Sequence, residues 1–332
     1  MLFSQTMSWR RTLTAFFILC CVGNGLFAQT EPQYTQYMFN RYLFNPAYAG
    51  SNNALEFSLL HRSQYVGLSS TYIATQAFNF SAPIPAASSG IGLNVGNDLI
   101  GYQRSTSVNI NYNYRKKFNW GNLAVGLGAG IIQTSLNGAK LRTPEGDYNS
   151  GINHNDNIVP NTMQNGIAPY FSLGIYFNND RYFAGAAVNH IIFSDASIKA
   201  ANGGKTKLIF SRNLFFTGGY NFTVGNKLEI MPSALVKTDL VKVQAEVNAT
   251  FTIIDNIITG ISFRGYTKRT IDALGLVLGF KYKGFQLVYS YDANISYLTK
   301  FNTGSHEISL SYRYPLKKKE VRGYFYHNPR FN

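Results

Sequence analysis

Apolar and polar residues alternate along most of this chain. From Ser105 to Arg115, Thr106, Val108, Ile110, Tyr112 and Tyr114 share one face, and Ser105, Ser107, Asn109, Asn111, Asn113 and Arg115 the other. From 241 to 251, Val241, Val243, Ala245, Val247 and Ala249 stand against Lys242, Gln244, Glu246, Asn248 and Thr250. A period of two is that of a β-strand with unlike surroundings on its two sides. The same rule predicts about fourteen strands, near 54–62, 71–82, 89–97, 104–115, 123–133, 167–177, 181–191, 214–222, 228–236, 241–251, 257–266, 272–283, 285–292 and 305–314. Most are about nine to twelve residues long, enough for a tilted strand to cross a bilayer.

The links fall into two sets. Short ones lie at 118–121, 178–180, 224–226, 254–256 and 283–284, whereas the long ones near 134–166, 192–213 and 293–304 all fall on the opposite end. Short periplasmic turns and long extracellular loops characterise transmembrane barrels, as does an even strand count. The short link near 237–240 falls on the long-loop end, so length alone does not assign every link.

Composition sharpens this reading. Charged residues make up 14% of the chain and aromatic residues 15%, with 23 Tyr and 25 Phe. Soluble proteins carry about 25% charged residues. After the first thirty residues no apolar run approaches the ~20 residues of a spanning helix. A closed barrel is the remaining way to cross a bilayer with every backbone polar group paired. The expected fold is an all-β, transmembrane, antiparallel up-and-down barrel of about fourteen strands. Glycines on the polar face (Gly90, Gly92, Gly126, Gly128, Gly130, Gly275, Gly279) allow curvature or close backbone approach. Tyr and Phe near strand ends (Tyr112, Tyr114, Phe177, Tyr182, Tyr282, Tyr312, Tyr314) suit interfacial girdles.

The first segment reads as an export signal over 1–28. Arg10 and Arg11 precede an apolar stretch from Leu13 to Val22, and cleavage is expected after Ala28. A lipidated Cys20 or Cys21 would need a small residue just before it, but Leu19 and Cys20 occupy those positions. Both cysteines leave with the signal, so the mature chain has no thiol. Removal of Arg10 and Arg11 leaves 28 basic and 16 acidic residues, a net charge of +12. In an exported chain without a basic helix, that charge suits outer-membrane lipid and lipopolysaccharide or an acidic partner, not nucleic acid.

Residues 29–53 form a distinct N-terminal segment. Glu31 to Ser51 (EPQYTQYMFNRYLFNPAYAGS) lacks clean alternation, is dense in Tyr, Phe, Asn and Gln, and contains Pro46. Pro32-Gln33, Gln36-Tyr37-Met38-Phe39-Asn40 and Asn45-Pro46-Ala47-Tyr48-Ala49-Gly50 resemble the N-terminal hallmark of the PorP/SprF family of type IX secretion membrane proteins. The resemblance continues through Gly218-Gly219-Tyr220, Pro232-Ser233, Tyr289-Ser290-Tyr291-Asp292 and Gly304-Ser305-His306-Glu307-Ile308. Glu31 stands where the family commonly has Asp, and Arg41 where Pro often follows the Asn. The resemblance implies an outer-membrane barrel of Bacteroidota that works with other type IX secretion components on the export, surface attachment or gliding use of a particular secreted protein. A general diffusion porin is the alternative, but it has no need of such a segment.

The large apolar groups Tyr37, Met38, Phe39, Tyr42, Phe44, Pro46 and Tyr48 precede any spanning strand and would be costly to leave in water, at roughly 25 cal/mol per Å². Residues 32–50 are therefore expected to be buried, as a lumen plug or a periplasmic cap. Pro32, Gln33, Gln36, Tyr37, Met38, Phe39, Asn40, Asn45, Pro46 and Tyr48 are the candidate plug or partner residues, with Gln33, Gln36, Asn40 and Asn45 bonding the barrel. The barrel proper covers 54–314. A periplasmic tail, 315–332, carries Lys317, Lys318 and Lys319 as a possible docking site. Arg62, Arg115, Lys237, Lys242, Glu246, Arg264, Asp292 and Arg313 are expected to pair in the lumen or at its rims.

No catalytic, cofactor or metal site is expected. His306 and Glu307 are adjacent on a strand and point to opposite faces. Ser69, Ser70 and His61 lack an orienting acid at recognisable spacing. Asp147, His154 and Asp156 lack the spacing of an EF-hand calcium loop.

Overall fold

The computed structural model describes residues 31–316 except 69–71, 193, 202, 267–269 and 296. The expected signal peptide and the Lys317–Lys319 tail lie outside the described residues. The strands in chain order are β1 (Ala54–Gln64), β2 (Ile73–Ile84), β3 (Ser89–Ile100), β4 (Gln103–Phe118), β5 (Gly121–Asn137), β6 (Met163–Asn178), β7 (Tyr182–Asn189), β8 (Ser194–Lys199), β9 (Lys205–Phe210), β10 (Asn213–Tyr220), β11 (Phe222–Val224), β12 (Leu228–Thr238), β13 (Val243–Ile253), β14 (Ile257–Tyr266), β15 (Thr270–Tyr282), β16 (Phe285–Asn294) and β17 (Ser305–Pro315).

Each wall strand pairs antiparallel with its neighbours, β10 pairs with β12, and β1 pairs with β17. The result is a closed barrel of fourteen strands, with β11 continuing the line of β10. The break between those two falls opposite Pro232, which has no N–H to give to a ladder. The alternation has the predicted phase. Val243, Ala245 and Val247 are exposed on the outside of β13, while Gln244, Glu246 and Asn248 are buried inside. On β4, Val108, Ile110, Tyr112 and Tyr114 face outward, and Asn109, Asn111 and Asn113 inward.

Several strands run beyond their predicted ends, β5 and β6 by up to four residues, and two other departures have a local cause. The strand expected from 241 starts at Val243, because the Asp239 carboxylate accepts from the N–H groups of Val241 (3.0 Å) and Lys242 (2.7 Å) and closes a turn. The link near 192–213 is not plain loop: β8 and β9 form a hairpin in it. Ala196 and Phe210 of that hairpin pack with Ile132, Ala168 and Tyr170 of β5 and β6, so the hairpin folds against the inner wall at the long-loop mouth.

Around the short-turn rim, Phe118, Trp120, Phe177, Tyr182, Tyr220 and Phe222 follow one another with ring centroids 4.4–6.4 Å apart. Aromatic rings at that level form a girdle of the expected kind, which includes the predicted Phe177 and Tyr182. On β5 the exposed apolar positions Val125, Leu127 and Ile131 give way to Gln133 and Ser135, so its long-loop end rises beyond the apolar band. If the long loops face outward, a cysteine at Asn149 should label with an impermeant maleimide on intact cells and one at Asn179 should not. Labelling at Asn179 would invert the orientation.

Candidate functional site

Residues 31–53 run through the lumen from the long-loop end to the short-turn end. The start of the segment lies beside the long-loop ends of β7 and β12: Lys237 donates its Nζ to the carbonyls of Glu31 (2.7 Å) and Pro32 (3.2 Å). Glu31 Oε1 lies 3.4 Å from His190 Nε2 and accepts from Asn189 Nδ2 at 3.5 Å. At the other end, the Gly50 carbonyl accepts from Arg115, and Gly50 packs on the backbone of Pro83. The segment is therefore not confined to the periplasmic mouth.

Two one-turn helices shape the segment, Arg41–Leu43 and Pro46–Tyr48. Asn45 caps the second: its Oδ1 accepts from Ala47 N (2.9 Å), and Pro46 fills the first position, where no N–H is needed. Inward-facing glycines make room for this turn. A Cβ on Gly126 would stand 2.5 Å from Ala47 N, and one on Gly90 or Gly174 would overlap Ala49 or Asn45. Any side chain at these positions would displace the turn.

Near the long-loop end an ionic cluster clamps the segment. Arg62 pairs with Asp292 (2.7 Å) and Glu307 (2.9 Å), and Arg264 with Glu246 (2.9 Å), Asp292 (3.1 Å) and Asp272 (3.9 Å). Thr35 sits among them. Its hydroxyl accepts from Arg62 (2.9 Å) and Arg264 (2.8 Å) and donates to Asp292, while its N–H donates to Glu307 (2.8 Å). Buried charges are tolerable when paired and hydrogen-bonded in this way. Gln36 extends the clamp, giving its N–H to Glu307 Oε1 (3.0 Å) and its side-chain amide to the Glu307 carbonyl (3.0 Å).

The other predicted residues are spread around the wall. Gln33 accepts from Gln64 (3.0 Å) and bonds the Tyr266 hydroxyl. Tyr37 meets Ser233 (3.1 Å), Asn40 donates to Ser58 (2.9 Å), and Asn45 donates to the Ile175 carbonyl (2.8 Å). Met38 is buried with Phe44, Phe215 and Leu235, and Phe39 packs on Ile258, Val277 and Val288. Pro46 offers its carbonyl to Asn113, and Tyr48 packs edge-on against Tyr176 (5.2 Å). Arg41, a departure from the family pattern, lies over the Phe183 ring at 3.5 Å and donates to the Tyr176 hydroxyl (3.2 Å).

Of the eight charged residues expected to pair, Arg62, Glu246, Arg264 and Asp292 meet in one cluster. Arg313 pairs with Glu56 at the short-turn rim (2.9 Å), Arg115 bonds backbone carbonyls, and Lys237 anchors the segment. Lys242 does not join them, since the Asp239 turn leaves it exposed at the long-loop rim. Sequence reasoning missed Thr35 and Asp272, because nothing local marks a threonine whose partners are up to 272 residues away.

His306 accepts from or donates to the Tyr289 hydroxyl (2.7 Å), whereas Glu307 is buried inside. His61 bonds Ser63 and Gln76; Ser69 and Ser70 lie outside the described residues. In the 138–162 loop, His154 is buried between the Gly138 carbonyl and the Tyr148 hydroxyl, and Asp156 accepts from Ile158 N. Asp147 likewise accepts from a nearby backbone N–H, that of Asn149. Among the described residues no group of three or more His, Cys, Asp or Glu is placed to hold a metal ion.

A hallmark segment buried in the lumen of a fourteen-stranded barrel narrows the comparison with known proteins. The model of the type IX secretion system membrane protein PorP/SprF matches residues 26–312. The chain belongs to that family. As a PorP/SprF member with an outer-membrane barrel fold, it resides in the outer membrane. No curated protein matches its sequence. Among solved structures, the Ralstonia pickettii toluene transporter TbuX is similar, with a TM-score of 0.51 and 10% identity over 83% of this chain and 93% of that one. The Pseudomonas putida toluene transporter TodX gives 0.48 and 9% over 87% and 96%. At 10% identity the likeness to TbuX is one of fold.

Proposed function

We propose that this PorP/SprF barrel assists the export or surface attachment of a particular secreted protein without doing chemistry itself, and that residues 31–53 plug its lumen. The observation that carries the reading is the division of the lumen. A cavity of about 530 Å³ at the short-turn end takes Met38 to Tyr42 and Tyr48 of the segment into its lining, and one of about 320 Å³ towards the long loops takes Glu31, Pro32, Tyr34, Leu43 and Phe44. The segment lies between the two. A diffusion porin needs one continuous aqueous path, so the intact protein should be non-conducting.

The partners of this reading are the secreted substrate and other type IX components, with lipid and lipopolysaccharide around the wall and the basic tail at Lys317–Lys319 available for docking. Gliding use of the substrate is one form the role can take. The test is deletion of 32–50, with planar-bilayer conductance and secretion of the cognate substrate as readouts. Conductance should appear and secretion should fall. A deletion protein that inserts, stays closed and secretes normally defeats the proposal, as does an intact protein that conducts like a porin. Mass spectrometry of a pull-down from solubilised membranes should recover type IX components.

A further inference from the structure

The cavity of about 320 Å³ on the long-loop side of the segment has a distinctive lining. Two aromatic layers face it. One comes from the lumen segment and β10: Tyr34 and Phe44 meet edge-on at 5.7 Å, and Phe44 and Phe215 lie 5.5 Å apart. The other comes from the wall and the β8–β9 hairpin: His190 stacks on Phe210 at 5.3 Å and meets Tyr170 edge-on at 4.8 Å. Neutral polar side chains such as Asn94, Asn97 and Asn109 share the lining with two carboxylates, Asp98 and Glu31, and no Lys or Arg is among the described lining residues. In a chain with a formal charge of +14, that is a local reversal of sign.

We propose that this cavity binds a small organic cation, a protonated amine on an apolar body. Ring faces attract an ammonium group through their quadrupole, and more strongly when water is excluded. A carboxylate at the same site adds a charge-assisted hydrogen bond. Asp98 has capacity to spare: its Oδ1 accepts from Thr75 Oγ1 at 2.5 Å, and the second oxygen is left for a ligand. Glu31 is held from one side by His190 and Asn189 at 3.4–3.5 Å. Lys237, the cation beside Glu31, is turned to the backbone carbonyls of Glu31 and Pro32. The volume sits at the lower end of small-molecule sites, roughly 300–1,000 Å³. The site lies beyond the segment proposed as a plug, so binding requires no open conduit.

Purified full-length protein in nanodiscs should bind phenethylamine saturably by calorimetry. Binding should be at least tenfold tighter than for 2-phenylethanol, which has the same body without the charge, and phenylacetate should not bind. Asp98→Asn should weaken phenethylamine at least tenfold. Leu208→Trp, which fills the cavity from the hairpin, should abolish binding; it is the second variant in case Asp98→Asn fails to fold. Both are checked for the heat-modifiable gel mobility of a folded barrel. The proposal is overturned by any of three results: no saturation with the wild type, equal binding of all three probes, or unchanged binding in the folded variants.

Discussion

Arg264→Met is expected to destabilise the barrel by about 3–5 kcal/mol, the range seen when one partner of a buried ion pair is removed. Arg264 is 3% exposed and is the counter-charge of Glu246, Asp292 and, more distantly, Asp272. Methionine has similar bulk, so the loss is electrostatic and not a cavity. It leaves Glu246 without its ionic partner, and Asp292 shared only with Arg62 among the described pairs. Thr35 also loses a donor at 2.8 Å, so the lumen segment should become more sensitive to protease. Urea unfolding in lipid vesicles measures the first effect and limited proteolysis the second. A stability change under about 1 kcal/mol would mean that water already solvates these carboxylates, and the clamp would have to be abandoned.

Val247→Arg is expected to cost about 2–4 kcal/mol, the penalty for a cation at the bilayer midplane on the lipid face of a barrel. Val247 lies near the middle of β13, opposite Phe263 of β14, and is 55% exposed on the outer surface. Ile253→Arg, on the same face at the short-turn end of the strand, should cost only about 0–1 kcal/mol, because the side chain reaches the interface. The comparison separates burial in lipid from burial in protein, since packing disruption alone would not depend on depth. Equal costs at the two positions would reject the membrane placement of this strand.

The strands were legible because a wall between lipid and a polar lumen imposes a period of two on every residue it contains. That constraint is local, and Ser105 to Arg115 display it without reference to anything else. The hairpin β8–β9 carries a shorter form of the same signal. Ala196 and Ile198 alternate with Ser197 and Lys199, and Gly203, at φ +81°, lies in the turn between the two strands. At six residues per strand it is too short to span a bilayer, and its inward fold depends on Ala168 and Tyr170, far off in sequence.

The burial of Tyr37, Met38, Tyr42 and Phe44 was also implied in advance, since so many large apolar groups do not stay in water. Their route was not. That Glu31 reaches the long-loop mouth while Gly50 rests by Pro83 follows from contacts with strands from one end of the chain to the other. Arg62, Arg264, Asp292 and Glu307 could each be placed on the lumen face by strand parity. Their convergence on Thr35 could not, because it needs barrel closure to bring β1, β14, β16 and β17 to one side of the same cavity. The sequence by itself thus determined the wall, its phase and the need to bury the segment, all of which are set by solvent contrast acting residue by residue. Only the tertiary structure decided which charges meet and where the segment runs, because those depend on distances across a closed lumen, and local pattern carries no information about them.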